Sequence, residues 1–132
     1  MSEFKSIEEA REYFSGDLFA KNAGITIDEL DGGMCVCSME ITPEHKNAAG
    51  GVMGGAIFTL GDLAFAVASN NMHRTTVAQN VSINFLSGTK GSRLIAKASC
   101  KKDGKNTCVY NIDITDDTGR DIAQFIGTGY KL

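Results

Sequence analysis

The sequence predicts an α+β domain: an antiparallel sheet of about six strands wrapped around one long central helix, with a short helix at the N-terminus. Three observations carry this prediction. A chain of 132 residues with 42% hydrophobic and 22% charged side chains fits one globular domain spanning residues 1–132. Between Lys46 and Arg74 the only charged side chain is Asp62, so that stretch belongs in the interior. After it, four segments alternate apolar and polar residues with period two, separated by turn clusters. One helix on the concave face of one sheet is the economical packing for that order.

The elements follow in chain order. SIEEAREYF opens on Ser6 with Glu9 three residues on, the capping-box spacing, and places Ile7, Ala10, Tyr13 and Phe14 on one face of a short helix. GITIDELDGGMCVCSMEI reads as two strands around Asp31, Gly32 and Gly33, with Cys35, Cys37, Met39 and Ile41 alternating onto one side. After Pro43 a glycine-rich loop leads into a helix. Ile57, Leu60, Ala64 and Val67 form one apolar stripe, while Phe58, Phe65 and Ala66 make much of the other side apolar, so the helix is expected to be buried nearly all round. A membrane span is excluded, because a central Asp62 costs roughly 3 kcal/mol and Asn47, Ser69, Asn70 and Asn71 shorten the apolar stretch. VAQNVSINF, RLIAKASCK, TCVYNIDIT and DIAQFIGTGY then read as four strands of an antiparallel meander, split by SGTKG, KDGKN and DDTG.

Composition narrows the function. A net charge of -3 argues against a nucleic-acid binder, which needs a basic excess. Glu3, Glu8, Glu9, Glu12 and Asp17 leave no apolar core for a leader peptide, so a cytoplasmic location is expected. There the four cysteines stay reduced, and Cys35 and Cys37 are read as small core residues. Cys100, Cys108, His45 and His73 lack metal-ligand spacing, so no metal site is expected. A domain of this size has little interior to spare for a large cavity, which makes a site shared between subunits attractive.

The stretch from Asn47 to Asp62, N-x-x-G-x-x-M-G-G-x-x-x-x-L-x-D, resembles the signature of the hotdog-fold acyl-CoA thioesterases, in their phenylacetyl-CoA and hydroxybenzoyl-CoA branch. The continuation LxDxAFAxASN and the four-strand tail extend the likeness over nearly the whole chain beyond the first helix. One position departs: Met53 stands where the branch usually has histidine. The resemblance implies a hotdog fold, an acyl-CoA substrate and hydrolysis of its thioester with no cofactor, coenzyme A being part of the substrate.

The residues support a site on their own chemistry. Gly54 and Gly55 precede the helix, so unpaired N–H groups and the positive end of the helix dipole face whatever sits there, although a tight turn needing small residues is the competing reading. Asp62 is a carboxylate in a buried helix with no lysine or arginine nearby in sequence; it is either used, or hydrogen-bonded across the core. It lies roughly 140° around the helix from Ile57, off the sheet-facing stripe, and is expected at a subunit interface. Asn47 offers an amide to orient a carbonyl, or an ordinary turn residue. His45 is read as a surface or loop residue and His73 as a helix cap. Lys90, Arg93, Lys97, Lys101, Lys102 and Lys105 form a basic stretch that either meets the coenzyme A phosphates or is a solvated strand face.

By the resemblance, the Gly54 N–H polarises the thioester carbonyl, helped by Asn47, while Asp62 of the neighbouring subunit acts as nucleophile or activates water. Gly55, Met53, Phe58 and Phe85 are expected to line the substrate pocket of a homodimer or dimer of dimers. Two alternatives share the fold. One is a non-catalytic acyl-CoA sensor or carrier, favoured by Met53; the other is an enoyl-CoA hydratase, which lacks its histidine here.

Overall fold

A computed structural model describes residues 3–132. The first helix, α1 (Ile7–Phe14), starts as the sequence predicts: the Ser6 hydroxyl accepts the Glu9 N–H at 3.1 Å. The Glu9 carboxylate reaches back to the Lys5 N–H at 3.3 Å. Ala10 and Phe14 are buried, and Phe14 meets Phe4 edge-on with centroids 6.1 Å apart. Arg11 fastens α1 to the sheet by donating twice to the Ile27 carbonyl, at 3.0 and 2.8 Å. A second helix, α2 (Leu18–Asn22), is absent from the sequence reading because five residues are too few to show a helical period.

β1 (Ile25–Asp31) and β2 (Met34–Glu40) form the expected hairpin, which turns at Gly32 with φ +56°. A 3-10 turn (Pro43–His45) and a loop then lead into α3 (Gly54–Met72), followed by β3 (Thr76–Phe85), β4 (Arg93–Asp103), β5 (Thr107–Asp116) and β6 (Asp121–Lys131). All six strands are antiparallel in one sheet of order β1-β2-β4-β5-β6-β3. The four-strand meander is therefore corrected: only β4, β5 and β6 run as one, while β3 leaves β4 and pairs with β6. Alternation fixes which face a strand buries and is silent about its neighbours. β4 already has β2 on one side, with Cys37 opposite Ala96, and β5 on the other, so the chain crosses the sheet end through residues 86–92. That crossing is tied down by the Leu86 N–H on the Ile122 carbonyl, 2.7 Å, and the Ile41 N–H on that of Ser92, 2.9 Å.

Register breaks in β1, β3, β4 and near the end of β5 bend the sheet around α3. Leu60, Ala64, Val67 and Ala68 are buried against a sheet face that includes Leu94, Ala96, Ile112 and Phe125, each large side chain contributing roughly 2 kcal/mol on burial. Close approach depends on absent side chains. A Cβ on Gly61 would lie 2.8 Å from the Phe125 ring, and one on Gly129 2.8 Å from the Cys108 sulfur and 2.9 Å from Phe65. The polar end of α3 is buried but satisfied. Asn70 exchanges hydrogen bonds with the Thr76 backbone at 2.9 and 3.0 Å, and Asn71 bridges the Phe4 N–H to the Gly32 carbonyl. His73 is the C-cap residue through its backbone, while its ring meets the Leu132 carbonyl at 3.1 Å.

The expectation that α3 is buried nearly all round needs one correction. Most of its C-terminal half is, but its first turns, and the face that carries Gly55, Thr59, Asp62 and Ala66, remain at least partly open in the single chain. Cys35 and Cys37 are free, buried core residues with sulfurs 3.8 Å apart. Among the described residues no helix is long and apolar enough to cross a membrane, and no group of metal-type ligands gathers.

Candidate active site

The site is built from the loop before α3, the first turns of α3, and the segments that pack beside them. Asn47 organises the loop: its Oδ1 accepts the N–H groups of Ala49 and Gly51 at 3.0 and 3.1 Å, while its own N–H donates to the Gly51 carbonyl at 2.8 Å. Gly50, with φ +87°, supplies the left-handed step that this turn requires. The turn reading of Asn47 is thus realised in the structure, and only its Nδ2 group is left to face a ligand.

Of the surface-or-loop reading of His45 the loop half stands, since it lies in the Pro43–His45 turn before α3, and the surface half is corrected: the side chain is buried. Its Nδ1 accepts the Thr42 N–H at 3.0 Å, which leaves Nε2 to donate to the Ala23 carbonyl at 2.7 Å. The His45 carbonyl in turn accepts the Met53 N–H at 2.8 Å. One imidazole therefore ties the end of α2 to the loop that delivers the helix start. The signal for it in sequence is the Thr42-Pro43-Glu44-His45 spacing, which is a capping box.

Met53 is the N-cap of α3 and offers no side-chain acceptor to the helix. The N–H groups of Ala56 and Ile57 turn back to its carbonyl at 3.0 and 3.3 Å, which leaves the N–H groups of Gly54 and Gly55 as the open donors at the positive end of the dipole. Gly54 borders a cavity of about 450 Å³ with Phe85, Ile57 and the crossing segment Ser87, Gly88 and Thr89. A Cβ on Gly54 would stand 3.1 Å from Phe85 Cζ, so a side chain here would crowd the donor. Met53 and Gly55 face a different cavity, of about 600 Å³, with Phe19, Ala23, His45 and Thr59.

Asp62 lies further along the same face, in a third cavity of about 310 Å³ under α2, with Phe58, Thr59, Asp17 and Phe19. Among the described residues it makes no hydrogen bond or ion pair, so the core-hydrogen-bond reading is not realised in this chain. Burial first, and the neighbouring Asp17 carboxylate second, push its pKa up from the ordinary aspartate value. Phe58 is held against Phe125, with centroids 5.3 Å apart. The predicted residues thus fall into three groups, the last two on one face of α3: Gly54 with Phe85, Gly55 with Met53, and Asp62 with Phe58. Eight residues of helix separate Gly54 from Asp62, about 12 Å along the axis.

The basic stretch does not form one patch. Arg93 is engaged by Glu40 at 2.8 Å at one end of β4, while Lys101 and Lys102 lie near the other end of that strand, about 25 Å away. Sequence reasoning missed two contributors. The first is α2 with Phe19, for which a five-residue helix leaves no periodic signal. The second is Asp116, whose Oδ2 accepts from the N–H groups of Lys90 and Gly91 and the Thr89 hydroxyl at 2.8 to 3.1 Å. Its Oδ1 accepts from Thr118 and the Arg120 N–H, and these donors, the Thr118 hydroxyl foremost, hold its pKa well below the carboxylate range. Asp116 therefore shapes the segment that walls the Gly54 cavity. Its signal in sequence is the DDTG turn, which marks a bend and not a role.

Residues 49–123, from the glycine loop into β6, match the model of the thioesterase superfamily. The chain belongs to that superfamily. The acyl-coenzyme A thioesterase PaaI of Escherichia coli is 34% identical over 129 residues, covering 97% of this chain and 92% of that protein. Human acyl-coenzyme A thioesterase 13 is 31% identical over 104 residues, or 76% of this chain and 74% of its own length. In structure, the E. coli PaaI protein superposes with a TM-score of 0.83 at 30% identity, covering 96% of both chains. A hypothetical thioesterase from Streptococcus pneumoniae, solved with coenzyme A, gives 0.82 at 27% identity over 89% of this chain and 94% of its own. This superfamily member carries the hotdog architecture expected of it, one long central helix held by a six-stranded antiparallel sheet, with a short N-terminal helix.

Proposed function

We propose that this protein is an acyl-CoA thioesterase, hydrolysing a small or medium acyl-CoA, aliphatic or aromatic, to the free acid and coenzyme A. One observation carries the chemical reading. Among the described residues Asp62 is a carboxylate without a hydrogen-bond or ion-pair partner on a partly open face of α3, and the open N–H groups of Gly54 and Gly55 stand about 12 and about 10 Å away along the same helix. A carbonyl under attack needs its nucleophile within about 3.5 Å and its polarising donor at hydrogen-bond distance. Two groups 12 Å apart do not meet at one carbonyl. The reading is therefore a site shared across a homodimer, in which the Gly54 N–H of one protomer polarises the carbonyl, assisted by Asn47 Nδ2, and the partner subunit's Asp62 supplies the attack. The partly open stripe of α3 and the unpaired edge of β3 support such pairing.

Two balanced routes use these groups. In one, an Asp62 oxygen bonds to the acyl carbon, the C–S bond breaks with its electrons on sulfur, and water then cleaves the resulting anhydride. In the other, Asp62 takes a proton from water as the hydroxyl adds to the carbon, and the thiolate leaves. Neither needs a cofactor or metal. The four free cysteines fit a reducing cytoplasm as the place of action.

Release of free thiol from a panel of short-chain, long-chain and aromatic acyl-CoAs tests the reading. Turnover on at least one class supports it. Tight binding of acyl-CoA without turnover on any would make this chain a carrier or sensor, the alternative that Met53 favours: its half-exposed thioether replaces a donor with a weak acceptor.

A further inference from the structure

Phe19 is 80% exposed, the most open of the large apolar side chains described here. Burying a phenylalanine contributes roughly 2 kcal/mol, which this position forgoes in the single chain. Its backbone is nonetheless well held. Ala20 on the same short helix is buried, the Ala23 N–H closes on the Phe19 carbonyl at 3.1 Å, and the Ala23 carbonyl is fixed by buried His45 at 2.7 Å. Phe19 also lines two cavities at once: the one that holds Asp62 and Phe58, and the one that holds Met53 and Gly55. Thr59 is the other residue common to both, and its hydroxyl is turned back onto the Gly55 carbonyl at 2.8 Å. An exposed aromatic ring on a fixed backbone, standing between the proposed nucleophile and an apolar void beyond it, has the placement of a gauge for whatever is attached to the reacting carbonyl.

We propose that Phe19 determines acyl specificity: its ring is the wall between the Asp62 cavity and the Met53 cavity, and the acyl group packs against it. This rests on the thioesterase reading and goes beyond it by naming the residue that sets substrate size. A short acyl group ends before the ring; a longer chain or a ring system must pass it to enter the Met53 cavity, which measures roughly 600 Å³ in the single chain and is bordered in the proposed dimer by the pairing face of α3. His45 acts as the positioning residue for this wall, since it anchors the end of α2.

The test compares the native chain with Phe19→Ala and Phe19→Trp by kcat/KM on acetyl-, butanoyl-, hexanoyl-, decanoyl- and phenylacetyl-CoA, with sedimentation of each variant. Phe19→Ala should move the preferred substrate toward longer or bulkier acyl groups, changing the decanoyl-to-acetyl ratio at least tenfold. Phe19→Trp should move it the other way, and acetyl-CoA should change least in both. Native turnover with an unaltered ranking in both variants would overturn the proposal while leaving the thioesterase reading intact. A change of sedimenting mass without a change of ranking would overturn it too, and would make Phe19 an interface residue. No native turnover on any ester would end both.

Discussion

Replacing Asp62 with asparagine keeps the shape of the side chain and removes its charge, and it should cost the protein its activity while making the fold more stable. The carboxylate is partly buried, has no hydrogen-bond partner among the described residues, and shares its cavity with Asp17. Burial first and Asp17 second raise its pKa in the folded chain above the unfolded value of 3.8. The native state then holds its proton to higher pH than the unfolded state, so stability falls as pH rises from near the unfolded value through the raised one. At pH 7 the ionised group therefore subtracts from stability. The amide is still a polar group without a partner, but removing the charge relieves its desolvation and its repulsion from Asp17, worth about 1 kcal/mol, near the low end for buried groups because water still reaches the site. For a domain of this length that corresponds to a rise in Tm of about 4 °C. Loss of the nucleophile or base should lower turnover by about 10³-fold. Thiol release and thermal melts at pH 7 and pH 4 check both halves, and the stability gain should shrink at the lower pH. In the native enzyme, turnover should rise with pH through the raised Asp62 pKa, because both proposed routes use the ionised form. A variant retaining turnover within tenfold of native would refute the role of Asp62. A variant that lost activity together with stability would refute the argument that the charge is held at a cost.

Other positions give distinct outcomes. Gly54→Ala places a methyl group 3.1 Å from the half-exposed Phe85 ring, which can swing aside, so melting should hardly change while kcat/KM falls about tenfold as the open N–H is crowded. Gly129→Ala drives a methyl group to within 2.9 Å of Cys108, Phe65 and Thr76, all buried, and urea titration should show a loss of about 2 kcal/mol. Asp116→Asn presents a single acceptor oxygen where both carboxylate oxygens are engaged, so its Tm should drop at neutral pH. Because the folded pKa of Asp116 is lowered, its stabilisation is present above the unfolded value near 3.8 and is lost as pH falls through the folded one, so native and variant melts should converge in acid.

The elements were legible where a residue's neighbours in sequence decide its environment. Ser6 with Glu9 announced α1, alternation announced the strands, and the single charge between Lys46 and Arg74 announced α3. Strand order was not legible. Nothing in VAQNVSINF says that its partner is β6 and not β4, because that choice is made by β2 taking the place beside β4. The close packing of α3 was equally hidden, since Gly61, Gly127 and Gly129 matter through Phe125, Phe65 and Cys108, residues distant in sequence. Burial of Asn70 and Asn71 also ran against composition: they read as a polar end to the helix, yet each is buried because Thr76, Phe4 and Gly32 supply partners.

The site divides along the same line. The Asn47-to-Asp62 motif is contiguous, so its glycines, its carboxylate and their place on one helix could be read directly. Its contiguity also misleads. Residues eight apart on a helix look adjacent in a motif, but the rise per residue keeps them about 12 Å apart, too far to serve one carbonyl. The three separate cavities along α3 express that distance within one chain. A motif whose members cannot meet in the chain that carries them is satisfied when a two-fold axis brings the start of one helix to the middle of another, as an isologous pairing does. In the proposed shared site the spacing from Gly54 to Asp62 bears on assembly as much as on chemistry, and a variant that prevents pairing of the proposed homodimer should lose both together.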